Sequence, residues 1–357
     1  MNRIRVLVVD DSAVVRKFVA EAVTASPDLV LAGVAADGRA ALERLEATAP
    51  DVVTLDVEMP VLDGIGTLRE LRRSRPRLPV LMLSSHTERG ALATLDALAA
   101  GASDFVAKPA TGGPDATRAF LQQEVVPRLR ALARRASPAA PRPSPPPVAR
   151  RTAASAIRLV VIGVSTGGPQ ALERVLPKLP RHLSVPVAIV QHMPPMFTRL
   201  LAERLSTLGP LPVREAVRGA PLRPGEVWIA PGGRHLTLAE GTDAPLLELD
   251  DGPPENSCRP AADVLFRAAA EHYGAGVLAV VLTGMGRDGL AGCERIRSAG
   301  GSVLAQDEAT SVVWGMPGVV VGAGLADAVV PIADVGREIA TRVERGRLQV
   351  KAVGALR

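Results

Sequence analysis

Aromatic side chains are scarce in this chain: Phe, Tyr and Trp make up only 2% of its 357 residues. A protein that stacks bases on aromatic platforms needs more, so no nucleic-acid partner is expected. The net charge of +5 does not reverse this. The arginines concentrate in one stretch, 129–151, and no segment reads as a helix-turn-helix or a zinc finger. Cysteine is nearly absent too. Cys258 and Cys293 are too few for a disulfide framework and neither sits in a CxxC pair, so both are expected to be packing residues of a cytoplasmic protein. No apolar run approaches the ~20 residues that span a bilayer, which excludes an integral membrane protein of the helical kind. The opening "MNRIRVLVVDDS" meets acidic residues at once and has no small-residue cleavage site, so no secretory signal is expected.

Hydrophobic residues are plentiful, at 47%, and they fall in short β-branched runs separated by amphipathic stretches. "IRVLVVD", "LVLAGVA", "DVVTLDV", "LPVLMLSS" and "DFVAKP" read as strands of a first domain over 1–132. "IRLVVIGVS", "VPVAIVQHM", "EVWIAP", "GVLAVVLTG" and "GSVLAQ" do the same in a second domain over 157–347. Continuous apolar strands are buried on both faces, as in parallel sheets. The expected fold is therefore α/β: two doubly wound domains, a five-stranded parallel one followed by a mostly parallel one. Each should carry its ligand crevice at the carboxyl ends of its strands. Between them, residues 133–156 are Pro, Ala, Ser and Arg without apolar periodicity, an extended linker. Glycine, proline and short strand signals between about Pro210 and Leu249 suggest added antiparallel strands at a sheet edge.

In the first domain, Asp10 and Asp11 follow the first strand and Asp56 ends the third. A single Asp there is usually a helix cap. Three carboxylates meeting in one crevice need a cation, and an oxygen-only set suits Mg²⁺. Ser84 ends the fourth strand, and Lys108 ends the fifth. A hydroxyl and an ammonium beside a metal–carboxylate cluster suit attack by Asp56 on a phosphoryl group.

In the second domain the turn "GVSTGG" follows the first strand. As a phosphate cradle it fails, because serine replaces the middle glycine and the next strand ends in "QHMPP" without an acid. As Gly163-x-Ser165-x-Gly167 it fits a turn that raises a serine above a sheet edge. His192 ends the next strand, and Asp288 follows "GVLAVVLTG" in "TGMGRDGLAG". Three strand ends thus offer a nucleophile, a base and an orienting acid. The backbone amides of Thr166 and of the Met285–Gly286 loop are candidate oxyanion donors. Each residue has a plainer reading: Ser165 as a helix cap, His192 as a buried histidine, Asp288 as the cap of the helix after it.

The motifs "VVDDS", "LDVEMPVLDG" and "DFVAKP" resemble the receiver domain of two-component response regulators. With "GVSTGGPQAL", "QHMPPMFT", "NSCRPAADVLF" and "LTGMGRDGLAG" behind them, the whole chain resembles the chemotaxis protein-glutamate methylesterase family. That resemblance implies Ser165, His192 and Asp288 as the catalytic triad, with the Met285 amide as oxyanion donor. It implies Asp56 as the phosphoacceptor, Asp10 and Asp11 as Mg²⁺ ligands with the Glu58 carbonyl, and Phe105 as a switch residue paired with Ser84. The activity implied is hydrolysis of glutamate methyl esters on methyl-accepting chemoreceptors, with methanol released, and deamidation of receptor glutamines. A histidine kinase would be the phosphodonor, and the unphosphorylated receiver would inhibit. The competing expectation is a non-catalytic phospho-switch that binds a partner through its second domain.

Overall fold

The computed structural model describes residues 3–85, 87–109, 113–136 and 155–354. The centre of the expected linker, 137–154, lies outside the described residues, as does His86. The chain forms two compact units, Met1–Arg142 and Pro143–Arg357.

The N-terminal unit alternates strands and helices: β1 (Ile4–Val9), α1 (Ala13–Thr24), β2 (Leu29–Ala35), α2 (Gly38–Thr48), β3 (Val52–Asp56), α3 (Gly64–Ser74), β4 (Val80–Ser84), α4 (Glu88–Ala99), β5 (Asp104–Ala107), α5 (Pro114–Phe120) and α6 (Val126–Ala136). The strands lie in the order β2-β1-β3-β4-β5, all parallel. β3 and β4 are buried at every position, as β-branched and leucine runs covered by helices on both faces should be. Parallel order brings the ends of β1, β3, β4 and β5 to one edge.

The C-terminal unit continues with β6 (Leu159–Val164), α7 (Gly168–Val175), β7 (Val187–Gln191), α8 (Pro195–Leu208), β8 (Val213–Glu215), β9 (Val227–Ile229), β10 (His235–Ala239), β11 (Leu246–Asp250), α9 (Ala262–Tyr273), β12 (Val277–Val281), α10 (Leu290–Ser298), β13 (Ser302–Gln306), α11 (Met316–Gly322), β14 (Ala328–Val330) and α12 (Ile332–Gly354). Seven strands pair in the order β14-β13-β12-β6-β7-β9-β8, and every pairing is parallel. The antiparallel strands expected near Pro210–Leu249 are only partly as anticipated. β10 and β11 form a separate two-stranded antiparallel ribbon, while the sheet edge itself is made by the parallel strands β9 and β8. The ribbon's inner residues Leu236, Leu238, Leu247 and Leu249 pack into the same core as Phe266 of α9. That burial, about 1.5–3 kcal/mol per large apolar side chain, favours a layer folded over the core rather than an extension of the sheet.

β6 is central. From it the chain winds outward through β7 on one side and returns to build β12, β13 and β14 on the other. Such a switch point opens a crevice at the carboxyl ends of the flanking strands. Ser165 follows β6, His192 follows β7, and Asp288 lies on the loop after β12.

Candidate active site and acidic cluster

In the N-terminal unit, one oxygen each from Asp10, Asp11 and Asp56 lies within 4.8 Å of the others. Lys108 Nζ stands 2.9 Å from Asp10 Oδ2 and 2.8 Å from Asp56 Oδ2. Backbone amides fix two of the carboxylates: Ser12 N donates to Asp10 Oδ1 at 2.9 Å and Val57 N to Asp56 Oδ1 at 2.8 Å. Burial pushes the Asp56 carboxyl up to about 6, against the pull of Lys108. Burial alone would lower Lys108, but its bonds to Asp56 and Asp10 outweigh that and raise it. Three convergent carboxylates facing one ammonium leave negative charge in place, and an all-oxygen donor set fits a hard divalent cation.

The remaining residues of this edge are placed less directly. The Ser84 hydroxyl is fully buried and turned to α4: it accepts from Thr94 Oγ1 at 2.6 Å and donates to the Gly90 carbonyl at 3.2 Å. Phe105 sits on β5 in register with Met82 and is buried. Glu58 lies two residues beyond Asp56, with its exposed carboxylate 3.8 Å from Arg89 Nε.

In the C-terminal unit the turn after β6 is shaped by glycine. Gly167 adopts φ 75, and a Cβ there would meet Val312 at 2.4 Å. Both facts demand glycine. Ser165 N donates to the Thr283 carbonyl at 3.0 Å, and Thr283 Oγ1 donates to the Thr166 carbonyl at 2.9 Å. The loop after β12 is thereby latched to the serine turn. Gly284 allows the approach, since a Cβ there would lie 2.8 Å from Ser165 Cβ.

His192 Nε2 lies 2.7 Å from Asp288 Oδ2. Asp288 is buried and densely bonded. Its Oδ2 also accepts from Ala262 N at 2.5 Å, and its Oδ1 accepts from Asp263 N (3.0 Å), Gly289 N (3.1 Å) and Asn256 Nδ2 (3.0 Å). Burial would raise its pKa. The His192 hydrogen bond and the amides outweigh burial and lower it, so the carboxylate stays ionised. For His192, burial would lower the pKa, but Asp288 and Cys258 together raise it to about 9. The Met285 amide forms no hydrogen bond among the described residues, while Thr166 is buried on the serine turn. A half-buried strand-end serine, a carboxylate-held imidazole and a free amide at one edge are the parts of an acyl-transfer site.

The family model described as CheB methylesterase matches residues 160–339, and that of the response regulator receiver domain matches 6–114. The chain belongs to the CheB methylesterase family. Among curated members, the protein-glutamate methylesterase/protein-glutamine glutaminase of Nocardioides sp. is 50% identical over 100% of both chains. Its counterpart in Trichodesmium erythraeum is 45% identical over 96% of this chain and 100% of that one. The solved CheB methylesterase catalytic domain of Thermotoga maritima is 42% identical, covers 52% of this chain and 98% of its own, and has a TM-score of 0.51.

Sequence reasoning missed part of what surrounds Ser165, His192 and Asp288 in this methylesterase. The plainer alternative for Asp288, a cap of the helix after it, fits only in part. Asp288 touches Gly289 N, but it chiefly receives the first amides of α9, while the start of α10 is held by Asp263, whose Oδ1 accepts from Gly292 N at 2.6 Å. Asn256 joins the two acids, donating from Nδ2 to Asp263 Oδ2 at 2.9 Å as well as to Asp288. Cys293 is a fully buried packing residue, as expected, but Cys258 is only half-buried and places Sγ 3.4 Å from His192 Nδ1. A run of Asn, Ser and Cys just before a helix, without apolar periodicity, was the available signal.

Proposed function

We propose that this enzyme hydrolyses γ-methyl esters of glutamate on methyl-accepting chemoreceptors, releasing methanol, and deamidates selected receptor glutamines by the same chemistry. The observation that carries this is the His192–Asp288 pair, 2.7 Å apart, on the loops after the strands either side of the central strand that Ser165 follows. The names of the curated relatives supply the substrate class. Ser165 Oγ attacks the side-chain acyl carbon and gives its proton to His192. Asp288, ionised and accepting at Nε2, leaves Nδ1 as the nitrogen that takes the proton, and it steadies the imidazolium. The amides of Met285 and Thr166 receive the oxyanion. His192 then returns the proton to the departing methanol or ammonia. Water, activated by the same imidazole, frees Ser165 and the glutamate product.

The N-terminal receiver regulates this reaction. A histidine kinase phosphorylates Asp56. Mg²⁺, held by Asp10, Asp11 and Asp56 with the Glu58 carbonyl, neutralises phosphoryl charge when bound. Lys108 moves from its two carboxylates towards the phosphoryl group. The Ser84 hydroxyl leaves Thr94 and Gly90 to follow it, and Phe105 repacks. The unphosphorylated receiver inhibits the esterase, and phosphorylation relieves that inhibition. No described helix is long and apolar enough to cross a membrane, and a cytoplasmic location suits a partner of receptor signalling helices and a kinase.

The decisive experiment is Ser165→Ala assayed for methanol release from methylated receptor. Loss of a triad nucleophile costs several orders of magnitude in rate. Near-normal release by a folded Ser165→Ala protein overturns the mechanism and favours a non-catalytic phospho-switch.

A further inference from the structure

Cys258 stands in an unusual place for a packing residue. It lies on a short loop before α9, and its sulfur is 3.4 Å from His192 Nδ1. Backbone, not side chain, holds it there. Glu255 N donates to the Cys258 carbonyl at 3.0 Å, and Cys258 N donates back to the Glu255 carbonyl at 2.9 Å. Glu255 is itself gripped by both terminal nitrogens of Arg267, at 2.7 and 2.6 Å. Between these anchors Asn256 and Ser257 adopt φ 52 and φ 62. Left-handed backbone costs a non-glycine residue about 1–2 kcal/mol, so the surrounding contacts impose this loop. It presents two side chains to the triad: Asn256 to Asp288, and Cys258 to His192.

The consequence concerns the ring nitrogens. Asp288 is ionised and can only accept, so Nε2 carries a proton and Nδ1 is the nitrogen left for Ser165. Nδ1 already has a partner, the Cys258 thiol. Ser165 Oγ, by contrast, forms no hydrogen bond among the described residues. We propose that Cys258 is a positioning residue that parks the catalytic imidazole: in the resting site its thiol occupies the ring nitrogen that must receive the Ser165 proton, and it releases that nitrogen only when substrate engages the serine. This rests on the esterase reading of Ser165 and His192 and goes beyond it, because the thiol competes with the nucleophile for one base. The contribution of Cys258 to the raised pKa of His192 corresponds to the sulfur accepting from a protonated Nδ1, a form in which that nitrogen is equally closed to the Ser165 proton and which loss of the sulfur would disfavour. The charged or titratable groups near the ring are Asp288 and Cys258 themselves, with Glu255, Asp263, Arg267 and His235 on the elements behind them.

The test uses the full-length chain with methylated receptor and compares wild type, Cys258→Ala and Cys258→Ser. Below the acidic limb of kcat/KM, a limb moved down by one unit gives about tenfold more deprotonated base. Weaker base strength offsets part of that gain. Cys258→Ala should therefore raise kcat/KM at mildly acidic pH by about three- to tenfold, converge with wild type at alkaline pH, and leave KM unchanged. Cys258→Ser keeps a hydroxyl for Nδ1 and should track wild type. A Cys258→Ala profile that superimposes on wild type, or that is uniformly depressed at every pH, overturns the proposal.

Alkylation by iodoacetamide gives a second, substrate-free readout. The Cys258 sulfur attacks the methylene carbon, iodide leaves, and the thiol proton passes to His192 Nδ1. Cys258 should react faster in wild type than in His192→Asn, while Cys293, whose thiol burial pushes well above its usual range, stays unmodified as an internal control. Equal rates at Cys258 in the two proteins overturn the pairing. Failure of the esterase reading is separable: Ser165→Ala would keep releasing methanol, whatever the alkylation rates show.

Discussion

Helices α1, α2, α3 and α4 of the N-terminal unit each begin on a side chain of their own: Ser12, Asp37, Asp63 and Thr87 accept from amides in the first turn. In the C-terminal unit the residues before α7, α9, α10 and α11 are Gly167, Ala261, Gly289 and Gly315, and none supplies a side-chain cap. Both units are parallel sheets wrapped by helices, and both gather their chemistry at the same sheet edge. They differ in how the orphan amides of the helix starts are satisfied. The receiver closes these four starts locally, so its acidic cluster stands on a frame of independent pieces. The esterase leaves the starts open and satisfies α9 from a distance with Asp288, the acid that orients His192. One carboxylate therefore does two jobs, holding the helix and holding the His192 imidazole. The positive end of α9 in turn keeps that carboxylate ionised.

The strongest way to break this comparison is Asp288→Asn. An amide cannot accept at both oxygen positions, so it loses part of its grip on Ala262, Asp263 and Gly289 and holds His192 in the wrong tautomer. The catalytic cost expected for the tautomer alone is about 10⁴-fold in kcat. Removing one member of a buried charged set also destabilises the fold, by about 3–5 kcal/mol where the partner charge is left uncompensated. Methanol release and the thermal midpoint should therefore fall together. A variant that loses activity at full stability would show that Asp288 is not the support of α9.

This doubling explains what was legible in the sequence and what was not. Ser165, His192 and Asp288 could be placed because each follows an apolar strand, and parallel order makes strand ends converge. The same logic placed Asp10, Asp56 and Lys108. The exchange of caps between α9 and α10 could not be read, because cap rules look three residues along the chain and Asp288 lies 26 residues from Ala262. Asn256 and Cys258 escaped for a related reason: their roles depend on consecutive left-handed residues in an irregular loop. The rotation of the Ser84 hydroxyl towards Thr94 is a choice between hydrogen-bond partners that strand position leaves open. The ribbon of β10 and β11 was readable as strands but not in its attachment, which the leucines of its inner face decide.

Regulation offers the next largest effect. If the receiver's separate frame serves an inhibitory role, deleting residues 1–150 should raise basal esterase activity. A small phosphodonor with Mg²⁺ should activate the intact chain but not Asp56→Ala. Couplings of this kind are typically about 5–150-fold. A deletion protein no more active than the unphosphorylated full-length chain would remove inhibition from the account and leave recruitment to receptors as the receiver's role.

Metal dependence separates the two units further. Among the described residues, the group of three carboxylates close enough to share a metal ion is that of the receiver. Mg²⁺ at about a hundred times its dissociation constant should stabilise that unit by about 2.7 kcal/mol, and Asp11→Asn should erase much of the gain. The esterase fragment should release methanol equally well in EDTA. Chelator-sensitive hydrolysis by the fragment would point to a metal in the catalytic unit and contradict the contrast drawn here.

The smallest effect is the most direct check on local closure. Asp37 caps α2, accepting from Ala40 N at 2.9 Å, and it follows the edge strand β2 rather than the strands that carry Asp10, Asp56 and Lys108. Among the described residues its carboxylate serves only the helix start, so Asp37→Ala should cost about 1 kcal/mol, the usual loss for such a cap. That loss should appear as a lower urea midpoint for the receiver with its slope unchanged. Phosphorylation of Asp56 and methanol release should be untouched. Asp37→Asn should recover most of the stability, because an amide oxygen caps nearly as well as a carboxylate. At Asp288 the same conservative change should recover little, because there the second oxygen and the charge are both engaged. If Asp37→Ala proves as damaging to activity as Asp288→Asn, then the receiver's helix starts are not independent pieces, and the difference between the two units does not lie in how their helices are capped.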